Sequence, residues 1–345
     1  MSAPPTRHRT VRRAGAVAVA LLLVAVVVFA LSRLNLPRVG HALISASPGW
    51  IVLALALMML SLLARSASWY EVLRAALPTA QIAWTAVARA LMIGVMASAV
   101  FPGRIGEPTR IVVLSRRLDG PASSTFPVVA GTVFSQTLIN LVALAVLAAV
   151  TLSSVPLLQG HGSALEAVLA APALIALLVF GVPFLLRLAG HSRNVRIRAG
   201  AIAAAGLLQL AQRGLVVFAR PRHGVPAVAA QLLAWALQWG SCYMVVLALG
   251  LQHHATPVAA AAILLAVNVS AVLPATPSNV GVFQAACLVV LAAYGVGAGA
   301  ALVYGIILQA VELLTALALG IPALLREGMT WQDIRRGPTV DPNDR

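Results

Sequence analysis

Long apolar runs separated by short polar connections dominate the chain. Several runs are about 17 to 25 residues long, the length that a helix needs to cross a hydrocarbon core roughly 30 Å thick. They lack the weak apolar and polar alternation of membrane β-barrel strands. The pattern therefore predicts an all-α polytopic membrane protein. The runs fall at about 14–31, 50–64, 84–101, 125–150, 165–188, 227–250, 258–273, 280–296 and 298–325.

Two of the apolar runs end in nearly the same five residues. Ser-Ala-Val-Phe-Pro at 98–102 returns as Ser-Ala-Val-Leu-Pro at 270–274, about half the chain length later. Chance is the alternative in a chain so rich in Ala, Val and Leu, but the Pro and the polar break that follows also repeat. Repeated halves that each carry a broken hydrophobic segment are typical of transporters with a site at the breaks.

The arginines predict how the runs are arranged in the membrane. If the N-terminus is cytoplasmic, the connections around Arg65, Arg74 and Arg116 and the segment 187–222 all fall on the inside. This holds only if 84–114 and 258–296 each return to the side from which they enter. We therefore expect about six full spans plus two re-entrant or tight helical hairpins, which makes eight or so membrane segments.

The second half would then have the inverted topology of the first. We expect a single transmembrane domain over 1–326 with halves of about 1–160 and 161–326 and a basic cytoplasmic segment over 188–226. That segment is either an interfacial helix or a linker. A cytoplasmic tail over 327–345 mixes Asp, Pro and Arg, and its composition predicts disorder. Both termini are expected to lie in the cytoplasm, with the chain in the plasma membrane.

Composition agrees with a membrane protein. The mean hydropathy is +0.95 and only 10% of residues are charged, whereas a soluble domain carries about 25% charge. The net charge of +15 comes entirely from arginines, which lie mostly between the apolar runs. Such charges set orientation in the membrane, so we expect no nucleic-acid partner.

The first break carries three charges between two apolar walls. Arg104, Glu107 and Arg110 are spaced three apart, so Glu107 can neutralise either arginine on a helix. Pro108 suits the first position of a helix, which would make Glu107 its N-cap. The positive end of that helix and the two arginines suit a phosphate or carboxylate. The alternative is a positive loop in the headgroup layer.

The second break repeats this layout without charges. Thr276 is expected as a cap and Pro277 as the first helical residue, with Ser278 and Asn279 following and Gln284 about one turn further on. Backbone N–H groups at such a break can face the same cavity as the first break.

Glu312 is an acidic residue deep within the last apolar run. It shares a helix face with Gln309, three residues earlier. An unpaired carboxylate in a membrane is protonated or finds an arginine. We expect Arg104 or Arg110 as its partner, in either a structural pair or a proton-coupling role.

At these breaks the chain resembles the transmembrane region shared by the lysylphosphatidylglycerol synthases and stand-alone flippase-like bacterial membrane proteins. The resemblance runs through FPGRIGEPTRIVVLSRR at 101–117, LPATPSNVGVFQAACLVVLAAYGV at 273–296 and ALVYGIILQAVELLTALALGIPALLREG at 301–328. It implies a helical bundle with re-entrant elements and movement of an anionic or aminoacylated phospholipid, or another lipid-linked substrate, between leaflets. Arg104, Glu107 and Arg110 match its charged first motif.

The chain departs from that resemblance at several carboxylates. Gln136, Thr137 and Asn140 stand where the family often has a Glu-Arg pair and an Asp, and Gln284 stands where it often has Glu. The cytosolic aminoacyl-transferase domain of the synthases is missing, so we expect no synthesis of lysyl-lipid.

The leading hypothesis is therefore a lipid flippase or transporter without a cofactor or metal. Its substrate-binding candidates are Arg104, Glu107, Arg110, Thr276, Ser278, Asn279, Gln284, Gln309 and Glu312. The alternative is a non-transporting membrane subunit that positions or regulates a lipid- or glycan-processing enzyme. An intramembrane enzyme is the least favoured reading, because the chain has no HExxH or paired Asp motif.

Overall fold

The computed structural model describes residues 46–100, 105–118, 122–154, 215–271 and 279–327. Within these ranges the chain is helical and has no strand, which confirms the predicted all-α class. A short 3-10 helix, Leu215–Ala219, precedes α5. The α-helices are α1 Pro48–Ala76, α2 Trp84–Val100, α3 Gly106–Ser115, α4 Ala122–Ser154, α5 Pro221–Ala248, α6 Pro257–Ser270, α7 Val282–Ala293 and α8 Ala298–Glu327.

Four helices are long and apolar enough to cross a membrane. They are α1, α5, α8 and the part of α4 from Thr125 to Ala149. Four of the six predicted full spans therefore correspond to helices with the length and hydropathy that a span requires. The runs at 14–31 and 165–188 lie outside the described residues, as do most of the basic segment 188–226 and the tail after Glu327.

The predicted end of the apolar run at 50–64 is wrong. Helix α1 continues through Arg65 and Arg74 to Ala76, so Arg65 lies within a membrane helix rather than in a connection. The stretch from Trp50 to Leu77 contains neither Gly nor Pro. A single charge does not end a helix in a sequence without such breakers.

Helices α1 and α5 pack against each other as an antiparallel pair. At one end the N–H of Ser47 donates to the carbonyl of Ala248 at 2.9 Å. At the other end Arg220 donates to the carbonyl of Ala75 at 3.1 Å, and His223 Nδ1 lies 2.7 Å from a Glu71 carboxylate oxygen.

Helices α2 and α3 form a hairpin whose two ends lie together. Arg89, near the start of α2, and Arg117, just after α3, both bind the buried carboxylate of Glu327 at the end of α8. With ten residues α3 is about 15 Å long, too short to cross the hydrocarbon core. The predicted hairpin is confirmed in this region.

Glycines allow the two helices of this hairpin to touch. A Cβ on Gly94 would lie 2.8 Å from the Gly106 carbonyl oxygen, and a Cβ on Gly106 would overlap Ser98 Oγ and the Gly94 carbonyl. No larger residue fits at either position without displacing backbone.

Helices α6 and α7, of 14 and 12 residues, form the corresponding short pair in the second half. The chain enters α7 through Asn279 and Gly281, whose φ angles of 53° and 89° are positive. The N–H of Gly281 donates to Gln284 Oε1 at 2.7 Å, which caps the helix.

Corresponding helices in the two halves begin at matching positions. Both α1 and α5 begin with a proline, Pro48 and Pro221, and these lie 173 residues apart, as do the starts of α2 and α6. Corresponding helices also make corresponding contacts. The contact of α2 with α8 matches that of α6 with α4, and the contact of α3 with α4 matches that of α7 with α8.

Candidate functional site

A polar cavity of about 480 Å³ lies at the centre of the bundle, and all eight described α-helices contribute side chains to its wall. Its volume falls in the range of small-ligand pockets. Apolar side chains such as Leu62, Leu91 and Phe283 form part of the lining. The remaining lining is polar and charged, which is unusual for the centre of a membrane bundle and marks a functional candidate.

Arg110 is the most firmly held charge in this cavity. Its side chain is 9% exposed and forms an ion pair with Glu107 on the same helix. It also donates a 2.7 Å hydrogen bond to Gln136 of α4. The guanidinium carbon lies 5.0 Å from the centre of the Trp69 ring, and Trp69 is fixed by a 3.1 Å bond from its Nε1 to Thr132 Oγ1.

Gln136 connects Arg110 to a second arginine. While its oxygen accepts from Arg110, its amide nitrogen donates to the backbone carbonyl of Arg65 at 2.9 Å. The Arg65 guanidinium in turn donates to Gln238 of α5 at 3.3 Å. The network therefore joins α3, α4, α1 and α5 around one wall of the cavity.

Several buried polar atoms at the cavity have no hydrogen-bond partner within the part of the chain that the structure describes. They are the Nε atoms of Arg65 and Arg110, the Gln231 side-chain oxygen and the Thr315 hydroxyl. Buried polar groups in proteins are almost always paired with protein, water or ligand. Their concentration here is what a site for a polar ligand requires.

Amide side chains are the most numerous polar side chains in the described lining of the cavity. Asn140 Oδ1 accepts hydrogen bonds from both Gln231, at 2.8 Å, and Trp235, at 2.9 Å. The lining amides in the described ranges are Gln136, Asn140, Gln231, Gln238, Asn268, Asn279 and Gln309.

The structure brings together five of the nine predicted site residues. Glu107, Arg110, Asn279, Gln309 and Glu312 all line the cavity.

Three of the other candidates, Arg104, Thr276 and Ser278, lie outside the described residues. Gln284 is absent from the described lining, but its amide nitrogen donates to Gln309, which does line the cavity.

The expected partner of Glu312 is corrected in part. Arg110 is engaged by Glu107 and Gln136. Glu312 forms no ion pair with any residue that the structure describes, and Arg104, the other expected partner, lies outside those residues. The reason is geometric, because Glu107 is only three residues from Arg110 on the same helix and reaches it first.

Glu107 is not the N-cap of its helix. Helix α3 begins at Gly106, and the residue before it, Ile105, has no capping side chain. The helix can begin two residues before Pro108 because proline is tolerated throughout the first turn, where a backbone N–H has no intrahelical partner. The Glu107 carboxylate is then free to bind Arg110 instead of the backbone.

Arg65 is the main charged residue of the cavity that the sequence did not predict. It was assigned to a connection, yet it lies 18 residues into a 29-residue helix. The available signal was the absence of any Gly or Pro on either side of it. Ser61 and Ser68, spaced around Arg65 at helical intervals, form a polar face with it.

A bundle of apolar helices, two short broken pairs and a central charged cavity define a polytopic helical membrane protein with a polar internal site. The chain belongs to the family described as the lysylphosphatidylglycerol synthase transmembrane region, whose family model matches residues 14–320. The predicted resemblance is thereby confirmed. Membership indicates a membrane protein of lipid metabolism or transport. No curated protein matches the chain in sequence.

Proposed function

We propose that this protein is a lipid transporter of the flippase type. It binds the phosphate of an anionic or aminoacylated phospholipid, or of another lipid-linked substrate, in the central cavity. It moves that substrate between the leaflets of the plasma membrane, with both of its own termini in the cytoplasm. It performs no chemical reaction on the lipid.

The proposal rests on the buried arginine pair at the cavity. Arg65 and Arg110 both line the cavity, and each has a buried Nε atom without a hydrogen-bond partner among the described residues. A charge at the centre of a membrane helix costs about 2.5 to 3.5 kcal/mol on insertion scales. Guanidinium groups match the oxygens of a phosphate better than any other side chain, so a lipid phosphate accounts for both arginines.

The relation between the two halves of the chain suggests how the substrate is moved. We infer that they form an inverted repeat, because α1 and α5 begin 173 residues apart and run antiparallel. Arg65 and Gln238, also 173 residues apart, hydrogen-bond to each other, as equivalent residues beside a two-fold axis would. Rocking of such halves about a central site alternately exposes it to the two membrane faces.

The test is lipid translocation in proteoliposomes that contain a fluorescent phosphatidylglycerol with its label on an acyl chain. Dithionite quenches label in the outer leaflet, so transport exposes the protected inner fraction. We expect quenching beyond that of protein-free vesicles, and a rate about tenfold lower for Arg110→Ala, since a charged hydrogen bond contributes roughly 1.5–3 kcal/mol. Arg222→Ala, which removes an exposed arginine, is the matched control.

Wild-type vesicles that quench like protein-free vesicles would overturn the transport proposal. The alternative, a subunit that positions or regulates a lipid- or glycan-processing enzyme, would then take its place. It predicts a co-purifying membrane enzyme whose binding is unaffected by Arg110→Ala.

A further inference from the structure

We propose that Glu312 binds a proton when a lipid phosphate enters the cavity, so that the protein holds the proton and the lipid together. This inference rests on the proposed function, which brings a lipid phosphate to Arg65 and Arg110. It adds a second ligand, the proton, to that function. It also adds a driving force, because a proton gradient then moves the lipid in one direction.

Glu312 lies at the middle of a membrane helix with its carboxylate open to the cavity. Helix α8 has 30 residues, Ala298–Glu327, and Glu312 is at its midpoint, where a lone charge is costly. The side chain lines the cavity and is only partly buried. No described residue forms an ion pair or a hydrogen bond with it. Its unpaired oxygens are not fully buried, so they are accessible from the cavity.

The surroundings of Glu312 provide no close counter-charge within the described part of the chain. Arg65 on α1 lines the same cavity, but none of its nitrogens lies within 4.0 Å of a Glu312 oxygen. Helices α2, α4, α5, α6 and α7 contribute no ionisable side chain to the described lining. Other titratable groups near Glu312 are the buried Cys242 on α5, Cys287 on α7 and Tyr304 on α8, which are ordinarily neutral near pH 7.

The charge of the cavity changes when a phosphate enters. The ionisable side chains of the described lining are two arginines and two glutamates, so the wall is neutral when all four are charged. A phosphodiester adds one negative charge, and an uncompensated charge in a buried site is costly. A proton on Glu312 restores neutrality, and a nearby anion favours the protonated form of a carboxylate. Binding of the phosphate and binding of the proton therefore strengthen each other.

Glu107, the other carboxylate of the described lining, is less suited to take the proton. It forms an ion pair with Arg110, and its side chain is 56% exposed. A phosphate that replaces Glu107 at Arg110 allows the released carboxylate to turn into water, where it keeps its charge. Glu312 is partly buried and has no such partner among the described residues, so the compensating proton goes to Glu312.

Proton uptake on lipid binding is the first test. The purified full chain in detergent is mixed with phosphatidylglycerol in weakly buffered solutions at a series of pH values, and an indicator dye reports the bound protons. We expect a maximum of about one proton taken up per lipid bound, and none for Glu312→Gln, which keeps the size of the side chain but cannot ionise. Glu71→Gln makes the same change on α1 outside the described lining and should leave the uptake unchanged.

A pH gradient across the proteoliposome membrane is the second test. The dithionite assay is repeated with the lumen about one pH unit more acidic than the outside, so that the proton and the lipid leave the lumen together. We expect the initial quenching rate to rise at least about threefold, because one pH unit is about a tenfold difference in proton activity. A protonophore should abolish the increase, and the rate for Glu312→Gln should not respond to the gradient.

Phosphatidylglycerol binding by the wild type without proton uptake would overturn the inference, and this result requires no variant to fold. Uptake that persists in a folded Glu312→Gln protein would also overturn it. Retention of phosphatidylethanolamine by the wild type but not by Glu312→Gln, without proton uptake in either, would assign Glu312 to a lipid ammonium group instead. A rate that follows a sodium gradient and not the pH gradient would assign it to a metal cation.

These outcomes are distinct from failure of the proposed function. Translocation that ignores the pH gradient would leave the transporter and remove the proton. Proton uptake on lipid binding without translocation would remove transport and leave the linked binding of proton and phosphate. A wild type that binds no phosphatidylglycerol would overturn both.

Discussion

The two short helix pairs, α2–α3 and α6–α7, border the same cavity and use different chemistry. The first contributes Glu107 and Arg110, while the second contributes the neutral Asn268 on α6 and Asn279 at the entry to α7. The first is tied to α8 through the carboxylate of Glu327, and the second through the amides Gln284 and Gln309. The two helix pairs therefore differ in the side chains that they bring to the cavity. The pair α2–α3 supplies charged groups, and the pair α6–α7 supplies neutral hydrogen-bonding groups.

This difference shows why a repeat does not imply two equivalent sites. Matching helix positions require matching backbone packing, whereas the side chains at the cavity are free to diverge. We expect the phosphate contacts to come from the first pair and from Arg65, and the second pair to act mainly through its position. Three substitutions test this division.

Glu327→Ala should have the largest effect. The Glu327 carboxylate is 4% exposed and binds Arg89 at 2.6 Å and Arg117 at 2.8 Å. Removing one partner from a buried ion pair costs about 3–5 kcal/mol. Because Arg117 is half exposed, we expect a loss of about 3 kcal/mol, at the lower end of this range. Hydrogen exchange should rise in α2 and α3 and stay unchanged in α6 and α7. Equal change in both pairs would refute separate anchoring.

Gly106→Ala should have the next largest effect. The new Cβ would overlap Ser98 Oγ and the Gly94 carbonyl, so α3 must move away from α2. Overpacking of this kind costs about 1–3 kcal/mol, visible as a lower thermal unfolding temperature in detergent.

Two glycines of α8 are matched controls for Gly106. A Cβ on Gly299 meets no atom within 4 Å, and one on Gly305 lies 3.2 Å from Gln284 Cα. We expect no loss for Gly299→Ala and a smaller loss for Gly305→Ala. The same loss at Gly106 and Gly299 would mean that the hairpin contact is not tight.

Gln284→Leu should have the smallest effect. It removes the bond that the Gly281 N–H donates and the bond to Gln309. Each neutral hydrogen bond contributes about 1 kcal/mol, so thermal stability should fall slightly while translocation of the fluorescent phosphatidylglycerol is unchanged. Loss of translocation in the folded variant would instead give α7 a direct part in transport.

Much of the architecture could be predicted because the signals are local. Apolar length predicted α5 and α8 to within a few residues at most boundaries, and the break after Val100 predicted the end of α2. The charges in that break pointed to Glu107 and Arg110, which the structure places in the cavity.

The errors came from one misread local signal and from contacts between helices that are distant in the chain. Arg65 was read as part of a connection because a charge usually marks the end of an apolar run, yet α1 passes through it. Gln136 lines the cavity and also joins three helices, because it bonds both Arg110 and the Arg65 backbone.

The sequence by itself determined the membrane class, the helical segments and the positions of the two breaks, because hydropathy, proline and charge act over a few neighbouring residues. Only the tertiary structure decided that Arg65, Arg110 and Glu312 line one cavity. It also decided that Glu327 joins both ends of a hairpin. These contacts depend on how helices far apart in the chain are packed, which no local pattern specifies.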